Sequence, residues 1–408
     1  MSTPAPVALE SKPRTPLRLL TTGRFGGFWV SSLLSNIGFW AQAVAEPWLM
    51  LMLSGSPALV GLDAVAADAP GWALTLVGGA LADRLDRRRV VLLFQGLQML
   101  CPAALLALWL AHQLQPWMLI LLSLIVGITD ALSMPSVQAS MPALVAHEEI
   151  ASAVTLNSAQ FNLSRVLGPA LAGVLMARAG VEACFAVNVL SYLPFLLMAA
   201  FILPRRVATG PRTNDGPSMT EGLRHLLADP EARAPLTTVL VTSVFCGPLI
   251  TFCPVLVRDA FHAQVGTFGT ALSSFGVGGL LGALGLLALD GKFGPRPLSR
   301  LCAMAYALVV IVVAINPFIS GLLALLALGG VLVNGSNISA SSLLQSHVDD
   351  RERGQASSAM MLALRGGVSI GNLATGLSVS ALGIRHALII NGAIALGLQL
   401  VLALRHRN

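Results

Sequence analysis

Long apolar stretches recur along this chain, and short polar segments separate them. A helix needs about 20 mostly apolar residues to cross the hydrocarbon core of a bilayer. Strands of a membrane β-barrel are about half as long and alternate polar with apolar residues, a pattern that this sequence lacks. We therefore predict an all-α membrane protein with twelve transmembrane helices. The predicted spans are 25–53, 58–81, 90–111, 117–142, 152–178, 182–203, 235–257, 267–289, 298–315, 318–342, 355–380 and 384–404.

The composition agrees with a membrane protein, since 55% of the residues are hydrophobic and only 11% are charged. Soluble domains carry about 25% charged residues. The net charge of +6 does not indicate nucleic-acid binding, because the arginines cluster in short gaps between apolar stretches. The five cysteines lie within apolar stretches, without the spacing of a disulfide framework or metal site. We predict no nucleic-acid partner, no metal and no cofactor.

Basic residues in short loops predict the orientation, because such loops stay on the cytoplasmic side. Arg178, Arg258 and Arg385 are the exceptions on the other side. The polar N-terminus lacks a cleavage-site pattern, so the first span is expected to remain as an uncleaved anchor. We predict a monomeric multi-pass protein of the bacterial inner (cytoplasmic) membrane, with both termini in the cytoplasm. The cytoplasmic basic residues then fall in segments 12–24, 84–89, 205–233, 292–300, 351–353 and 405–407.

An internal repeat divides the chain into two halves. Ser136 precedes Arg165 by 29 residues, and Ser336 precedes Arg365 by the same 29 residues. In both halves a glycine then lies eight residues before an asparagine, as Gly180/Asn188 and Gly383/Asn391. Duplicated halves of this kind build many secondary transporters. The predicted divisions are a cytoplasmic tail (1–24), a six-helix half (25–203), a cytoplasmic linker with a short surface helix (204–234), a second six-helix half (235–404) and a tail (405–408).

Ionisable side chains within the predicted spans are candidates for function, because each costs at least a few kcal/mol at membrane depth. Counting along the spans places Asp68, Asp130, Arg165 and Arg365 near mid-depth. All seven histidines fall in loops or at loop edges, so a proton carrier has to be a carboxylate. The proton-coupling candidates are Asp68, Asp130, Glu46 and Asp63, the last two nearer the outer leaflet.

Polar residues at similar depth are predicted to line a substrate cavity, and these are Asn36, Gln42, Arg165, Asn334 and Arg365. Asp130 and Arg165 lie symmetrically about the loop near His147, so we expect them at similar depth as an ion pair. The sequence leaves open whether that pair is static. Asp68 has no obvious partner, and it either takes up protons or only lines a wet cavity.

The stretch GGALADRLDRRRV, residues 78–90, resembles the loop signature of the major facilitator superfamily. The resemblance implies that Asp83 approaches the start of the eleventh helix near 354–358, where a carboxylate suits the positive end of the helix dipole. It also implies a cytoplasmic charge network that latches an inner gate. Asp86 departs from the signature, in which glycine is commoner. The gate residues so implied are Gly79, Asp83, Arg84, Asp86, Arg87 and Arg88.

The stretch SRVLGPALAG in the fifth span resembles the antiporter motif of exporters in the same superfamily, with Gly168, Pro169 and Gly173 matching. Over essentially its whole length, the chain is similar to the exporter branch that includes enterobactin exporters and multidrug efflux pumps. The resemblance implies the major facilitator fold and alternating access.

We therefore predict a secondary active transporter, with proton-coupled export of a small organic molecule such as a drug-like compound or a siderophore. A lipid or lysolipid flippase of the same fold and a solute importer are the alternatives within transport. A membrane-embedded enzyme is not predicted, because the sequence has no HExxH, no GxSxG and no histidine at depth.

Overall fold

The computed structural model describes residues 16–203, 224, 226–288, 294–348 and 353–405. The chain is nearly all helical in these ranges. Helices occupy all twelve of the predicted places. Their bounds are α1 (Phe25–Ser54), α2 (Pro57–Arg84), α3 (Arg87–Leu110), α4 (Pro116–Ser140), α5 (Ile150–Ala179), α6 (Val181–Phe201), α7 (Pro230–Cys246), α8 (Val265–Ala288), α9 (Pro295–Ile315), α10 (Ile319–His347), α11 (three segments, Arg353–Met361, Leu362–Gly366 and Gly367–Leu382) and α12 (Ile384–Arg405).

Eight helices in the described part of the chain are both long enough and apolar enough to cross a membrane, namely α3, α4, α6, α7, α8, α9, α10 and α12. The other four, α1, α2, α5 and α11, carry most of the ionisable residues that the sequence places at depth. The large hydrophobic side chains exposed on the helices are numerous and are mostly leucine, isoleucine and valine. The molecule is therefore a multi-pass integral membrane protein.

Helices α7 and α11 are the two that depart from regular geometry. After Cys246, α7 continues through short helices at Pro248–Thr251 and Cys253–Val255 into a π-helical turn at Leu256–Ala260. Proline lacks a backbone donor and interrupts the hydrogen-bond ladder, which accounts for the breaks at Pro248 and Pro254. In α11 the middle segment, Leu362–Gly366, is also a π-helical turn. Such turns occur often at functional sites.

Helices α1–α6, the N-terminal bundle, pack with the same neighbours as helices α7–α12, the C-terminal bundle. In the first bundle α2 packs on α4, α1 on α6, and α3 on α4 and α6. In the second bundle α8 packs on α10, α7 on α12, and α9 on α10 and α12. The two sets of contacts correspond one to one when six helices are added to each label.

Residues at equivalent positions of the predicted repeat also have equivalent structures. Gly180 between α5 and α6 has φ 79°, and Gly383 between α11 and α12 has φ 80°. Both glycines adopt a backbone conformation that side chains disfavour. Ser136 and Ser336 are both fully buried. The same unusual geometry at the same repeat position supports internal duplication.

The two bundles meet along a seam formed by two helix pairs, α2 with α11 and α5 with α8. We call the end of the molecule where α1 leads into α2 the α1/α2 end, and the opposite end, where α2 leads into α3, the α2/α3 end. At the α1/α2 end Trp48 stacks on Phe268, with ring centroids 5.4 Å apart. There the Arg258 guanidinium also donates a hydrogen bond of 3.0 Å to the Leu51 carbonyl.

Buried apolar side chains distinguish the two ends. The largest cluster joins both bundles and contains, among others, Trp48, Leu49, Phe252 and Phe268. At the α2/α3 end the described residues form two separate clusters, one drawn from residues 19–203 and the other from residues 226–359. The bundles therefore share a core at the α1/α2 end and have separate cores at the α2/α3 end.

The predicted linker is described only in part. Residues 204–223 and 225 lie outside the described residues, as do both predicted tails apart from residues 16–24 and Arg405. Leu226–Ala228 are helical. Leu226 is buried against the C-terminal bundle, whereas Leu227 is 43% exposed. The predicted surface helix lies mostly outside the described residues, and its last turn is amphipathic.

Arg385 is one of the basic residues that break the charge pattern, and the structure shows what it binds. Its guanidinium donates hydrogen bonds to the carbonyls of Ala314 (2.7 Å), Asn316 (3.1 Å) and Ala260 (3.4 Å). It also lies 5.5 Å from the Phe261 ring centroid. The last carbonyls of a helix lack intrahelical partners, so Arg385 joins the ends of three segments.

We expect Arg385→Ala to lower the free energy of unfolding by about 1.5–3 kcal/mol, because hydrogen bonds to a charged group are lost. Thermal unfolding of the purified protein in detergent measures this change. Arg178→Ala is the matched control, since Arg178 is an exposed arginine at the same end. An equal loss in both variants would contradict the role given to Arg385.

Candidate functional site

Four charged residues lie at the middle of their helices. With a rise of 1.5 Å per residue, Asp68, Asp130, Arg165 and Arg365 are each within about 4 Å of the midpoint of α2, α4, α5 and α11, respectively. Arg365 lies within electrostatic range of all three of the others. The four residues therefore form one cluster, which we call the central charge cluster.

Close packing of α2 on α4 brings the two carboxylates together. A Cβ atom at Gly127 would lie 3.0 Å from the carbonyl carbon of Ala67, and one at Gly78 would lie 3.1 Å from Leu132 Cα. Only glycine allows backbones to approach so closely. Asp68 follows Ala67, and Asp130 lies three residues after Gly127, so this crossing places both carboxylates on the same side of the N-terminal bundle.

Asp130 forms its ion pair with Arg365, not with Arg165 as predicted. The distance from Asp130 Oδ2 to Arg365 Nη1 is 3.9 Å, and the side chains are 26% and 42% exposed. The prediction was wrong because it compared depths within one bundle, whereas the π-helical turn in α11 brings Arg365 across the seam. The pair therefore joins the two bundles at mid-depth.

Arg165 has a different partner. Its guanidinium carbon lies 5.3 Å from the centroid of the Trp40 ring on α1, within cation–π range. Gly168, one turn further along α5, allows this approach, since a Cβ atom there would lie 3.1 Å from the Ile37 carbonyl oxygen. Arg165 is exposed although it lies at the middle of its helix. A charged side chain that is exposed at mid-depth indicates a water-filled cleft, because contact of the charge with lipid would be costly.

The seam explains that cleft. Along α5 and α8, a Cβ atom added at Gly173 would lie 2.8 Å from the Gly269 backbone. Nearer the middle, a Cβ atom at Gly276 would lie 3.5 Å from Val166 Cα, beside Arg165. These contacts run from the α1/α2 end to mid-depth, where the central charge cluster lies. Because no cluster of buried apolar side chains joins the bundles at the α2/α3 end, we infer a cleft there, with the central charge cluster at its apex.

A second polar network lies within the N-terminal bundle. The Asn188 amide donates a hydrogen bond of 2.7 Å to the Gln42 carbonyl oxygen, and the Gln42 amide donates one of 3.2 Å to Glu46. Ser123 donates one of 2.7 Å to Asp63, which is 4% exposed. Glu46 lies within electrostatic range of Asp63. Asp63 precedes Asp68 by five residues on α2, so this network lies about 7.5 Å nearer the α1/α2 end than the charge cluster.

We expect Asn188→Ala to destabilise the protein by about 1–3 kcal/mol, because it leaves the buried Gln42 carbonyl without its donor. Thermal unfolding tests this, with Gln113→Ala as the control, since Gln113 is exposed in the loop between α3 and α4. If the two substitutions lower the unfolding temperature equally, the network does not hold α1 and α6 together.

The structure places the remaining cavity candidates outside both groups. Asn334 donates a hydrogen bond of 3.3 Å to the Gly330 carbonyl of its own helix, and it packs on Gly279 of α8 within the C-terminal bundle. Asn36 is half-buried on α1, one turn before Trp40. Two residues that the sequence analysis missed are Trp40 and Tyr192. Tyr192 is buried within electrostatic range of both Asp130 and Glu46.

The predicted gate residues serve local roles at the α2/α3 end where they are described. Asp86 caps α3 by accepting a hydrogen bond of 3.0 Å from the Arg88 backbone. Arg87 donates hydrogen bonds to the carbonyls of Ala82 and Ala139 and so ties the end of α2 to that of α4. The side chain of Asp83 and its predicted approach to α11 lie outside the described residues. Arg84 is exposed, Arg88 is half-buried, and Gly79 has open space beside it.

The predicted antiporter residues occupy α5. Gly168 contacts α1, Gly173 contacts α8, and Pro169 is buried between them.

A surface groove of about 380 Å³ between α1 and α6 is lined by Gly27, Val30, Ser31, Leu34, Pro194, Leu197, Met198, Phe201 and Ile202. Because it contains no charged residue and lies away from the seam, it is not the candidate site. Within the described residues no group of three His, Cys, Asp or Glu side chains could hold a metal ion.

Curated relatives of this chain are transporters. It is 23% identical over 369 residues to the staphyloferrin A transporter of Staphylococcus aureus, covering 90% of this chain and 92% of that protein. It is 26% identical over 353 residues to the enterobactin exporter EntS of Shigella boydii, covering 83% and 80%. It is also 26% identical over 314 residues to the multidrug efflux pump Tap of Mycolicibacterium fortuitum, covering 74% and 75%.

Solved structures show the same fold. A bacterial homologue of the human lysosomal transporter Spinster, in an inward-facing and unoccupied conformation, superimposes with a TM-score of 0.72 at 15% identity and covers 96% of both chains. The nucleoside transporter NupG superimposes with a TM-score of 0.76 at 13% identity, covering 95% of this chain and 100% of that chain. At these identities the likeness concerns the fold alone.

A family described as transmembrane secretion effector (MFS_3) matches residues 14–408, which is nearly the whole chain. The predicted resemblance to exporters of the major facilitator superfamily is thereby confirmed. The prediction that the chain is not an enzyme is confirmed as well, because the family and the relatives are transporters. The chain belongs to the transmembrane secretion effector family of the major facilitator superfamily.

Proposed function

We propose that this protein is a proton-coupled secondary transporter that exports a small organic molecule, drug-like or siderophore-like, by alternating access. It would cross the bacterial inner membrane with twelve helices in two six-helix halves, 25–203 and 235–404, joined by the cytoplasmic linker 204–234. The tails 1–24 and 405–408 would also be cytoplasmic, and the protein would act as a monomer. The observation that carries the proposal is the central charge cluster at the apex of a cleft between the bundles.

The seam, with its contacts at the α1/α2 end and separate cores at the α2/α3 end, fits one of the two states that alternating access requires. Basic loops favour the cytoplasm, and the α2/α3 end carries the basic segments 84–89 and 294–300. With that end inside, the cleft opens towards the cytoplasm and the shared core closes the outer end. Alternating access then requires the glycine contacts at the outer end to separate and the α2/α3 ends to meet. The proposed gate role of Asp83, Arg84, Asp86, Arg87 and Arg88 belongs to that second state.

The ion pair between the bundles supports proton coupling. Protonation of Asp130 would remove the charge that holds Arg365, and a shift from mostly one state to mostly the other needs about 5.5 kcal/mol of differential binding. Asp68 and Asp130 are the proposed coupling carboxylates, because both contribute to the cluster at the apex. Glu46 and Asp63 are the next candidates, deeper towards the closed end.

Vesicles reconstituted with the purified protein and filled with a pH-sensitive dye test this function. Enterobactin and staphyloferrin A, the cargo named for two relatives, and a zwitterionic drug-like compound serve as probes and are quantified by mass spectrometry under an imposed proton gradient. We expect at least one of these solutes and protons to move in opposite directions, and expect Asp68→Asn and Asp130→Asn to abolish the exchange. Glu148→Gln, at an exposed residue of the connection between α4 and α5, should leave it unchanged.

Two results would overturn the proposal. If the solute moves at the same rate without a proton gradient, the transport is not proton-coupled, and the flippase alternative gains support. If both aspartate variants exchange as fast as the native protein, the coupling sites are not Asp68 and Asp130.

A further inference from the structure

Two charges of opposite sign in the central charge cluster have no ionic partner within the described residues. Arg165 rests on the Trp40 ring, and no carboxylate lies within ion-pair distance of its guanidinium. Asp68 forms no hydrogen bond or ion pair with any described residue. Asp130 and Arg365 are its charged neighbours, but only at longer range. Asp130 and Arg365 hold each other. The cluster is therefore neutral in sum but leaves one carboxylate and one guanidinium available.

Both available groups are at least partly accessible. Arg165 is exposed and Asp68 is half-buried. An unpaired charge at mid-membrane depth is expensive, so water or a ligand has to compensate it. A ligand with one positive and one negative group would compensate both charges at once, whereas a ligand with a single charge would leave the other unpaired.

We infer that the cargo is zwitterionic, with its cationic group at Asp68 and its anionic group at Arg165. The Trp40 ring lies on one side of the guanidinium and accepts no hydrogen bond from its edge, so the N–H donors of Arg165 remain for an anion such as a carboxylate. Arg365 of the Asp130–Arg365 pair is within electrostatic range of both Asp68 and Arg165, so the pair lies near both subsites. The inference rests on the proposed function and specifies the chemical class of the substrate.

The same arrangement explains why cargo and proton would move in opposite directions. A proton on Asp68 would remove the negative charge that the cationic end of the cargo needs. Proton and cargo would therefore exclude each other at Asp68, with Asp130 and Arg365 as the other charged groups that face it. Mutual exclusion at one site is what exchange in opposite directions requires, whereas a cargo bound only through Arg165 would not compete with the proton.

Matched ligands of one skeleton test the inference. The ω-amino acids from 4-aminobutyrate to 8-aminooctanoate carry both charges at graded separations. Alkanoates and alkylamines of the same lengths carry one charge each. Each compound is titrated against the purified protein in lipid nanodiscs at neutral pH, and the ligand-dependent rise in unfolding temperature gives an apparent Kd. We expect at least one ω-amino acid to bind about tenfold more tightly than both of its single-charge analogues.

Variants assign the two ends of the ligand. Asp68→Asn should reduce the affinity for the ω-amino acid to that for the alkanoate, and Arg165→Gln should reduce it to that for the alkylamine. Arg165→Lys should retain part of the preference, which separates loss of charge from loss of folding. Glu148→Gln and Arg178→Gln, both at exposed positions outside the cleft, should bind as the native protein does.

Failure of the inference and failure of the proposed function have different signatures. The inference is overturned if an alkanoate or alkylamine binds as tightly as every ω-amino acid, or if both cleft variants keep the preference. It is also overturned if no ω-amino acid binds while enterobactin is still exchanged for protons in vesicles. Zwitterion binding without any proton-coupled flux would support the inference and overturn the proposed coupling.

Discussion

Gly173→Ala is expected to slow transport about 10- to 100-fold, because the added methyl group prevents the α1/α2 end of the seam from closing. The new Cβ would lie 2.8 Å from the Gly269 Cα and carbonyl carbon. Backbone atoms cannot move aside as the end of a flexible side chain can. Overpacking of this kind costs about 1–3 kcal/mol, and each 1.4 kcal/mol changes a conformational equilibrium about tenfold.

The substitution isolates the seam from other effects on the helix. Alanine favours the helix interior over glycine by about 1 kcal/mol, so α5 itself should not be weakened. Gly285→Ala on α8 is the matched control, because nothing lies within 4 Å of the added Cβ there. Solute flux in reconstituted vesicles should therefore be normal for Gly285→Ala and slow for Gly173→Ala.

A distance measurement between the bundles shows which of the two conformations the variant favours, the one open at the α1/α2 end or the one open at the α2/α3 end. Spin labels at Leu85 and Gln345, both exposed at the α2/α3 end, report how far apart the bundles stand there. A Cys302→Ser background removes the half-buried native thiol, since the other four cysteines are buried. Gly173→Ala should shorten this distance relative to Gly285→Ala, because a seam held open at one end closes at the other. An unchanged distance with unchanged flux would show that the Gly173–Gly269 contact is not a gate.

The helices could be predicted from the sequence to within a few residues, whereas the seam could not. Apolar length alone located α1, predicted at 25–53 and found at Phe25–Ser54. The length of an apolar span does not indicate which faces of the helices pack together. The contact of Gly173 with Gly269 was therefore not predicted, although the small residues of α5 were noted. The internal break in α7 was missed because the predicted span 235–257 runs without interruption through Pro248 and Pro254, where the structure breaks the helix.

For the candidate site, the sequence predicted the residues better than their partners. Asp68, Asp130, Arg165 and Arg365 were identified by their cost at depth, and the structure brings all four into one cluster. The predicted partner of Asp130 was wrong because the prediction compared only the depths of the two residues. Which side of its helix a residue lies on also decides whether two side chains can meet. Trp40 and Tyr192 carried no signal in an apolar span, where aromatic residues are ordinary.

Asp130→Asn is expected to reduce proton-coupled flux at least 100-fold and also to lower stability, because Arg365 then lacks its counter-charge. Removing one member of a fully buried pair costs about 3–5 kcal/mol. Here the side chains are 26% and 42% exposed to the cleft, so we expect a smaller loss of about 1–3 kcal/mol. The neighbouring Arg165 adds to this loss, since only Asp68 then opposes two guanidinium groups.

The double variant Asp130→Asn/Arg365→Gln separates the two effects. Replacing both charges by neutral amides removes the unpaired guanidinium, and exchange of an ion pair for neutral residues is often without net cost. Thermal unfolding should therefore return to near the native temperature. Proton-coupled flux should not return, because neither amide can take up or release a proton. A purely structural pair and a coupling pair thus predict opposite results for the flux of this variant. If dye-filled vesicles that contain it acidify at the native rate, the Asp130–Arg365 pair serves only to hold the two bundles together.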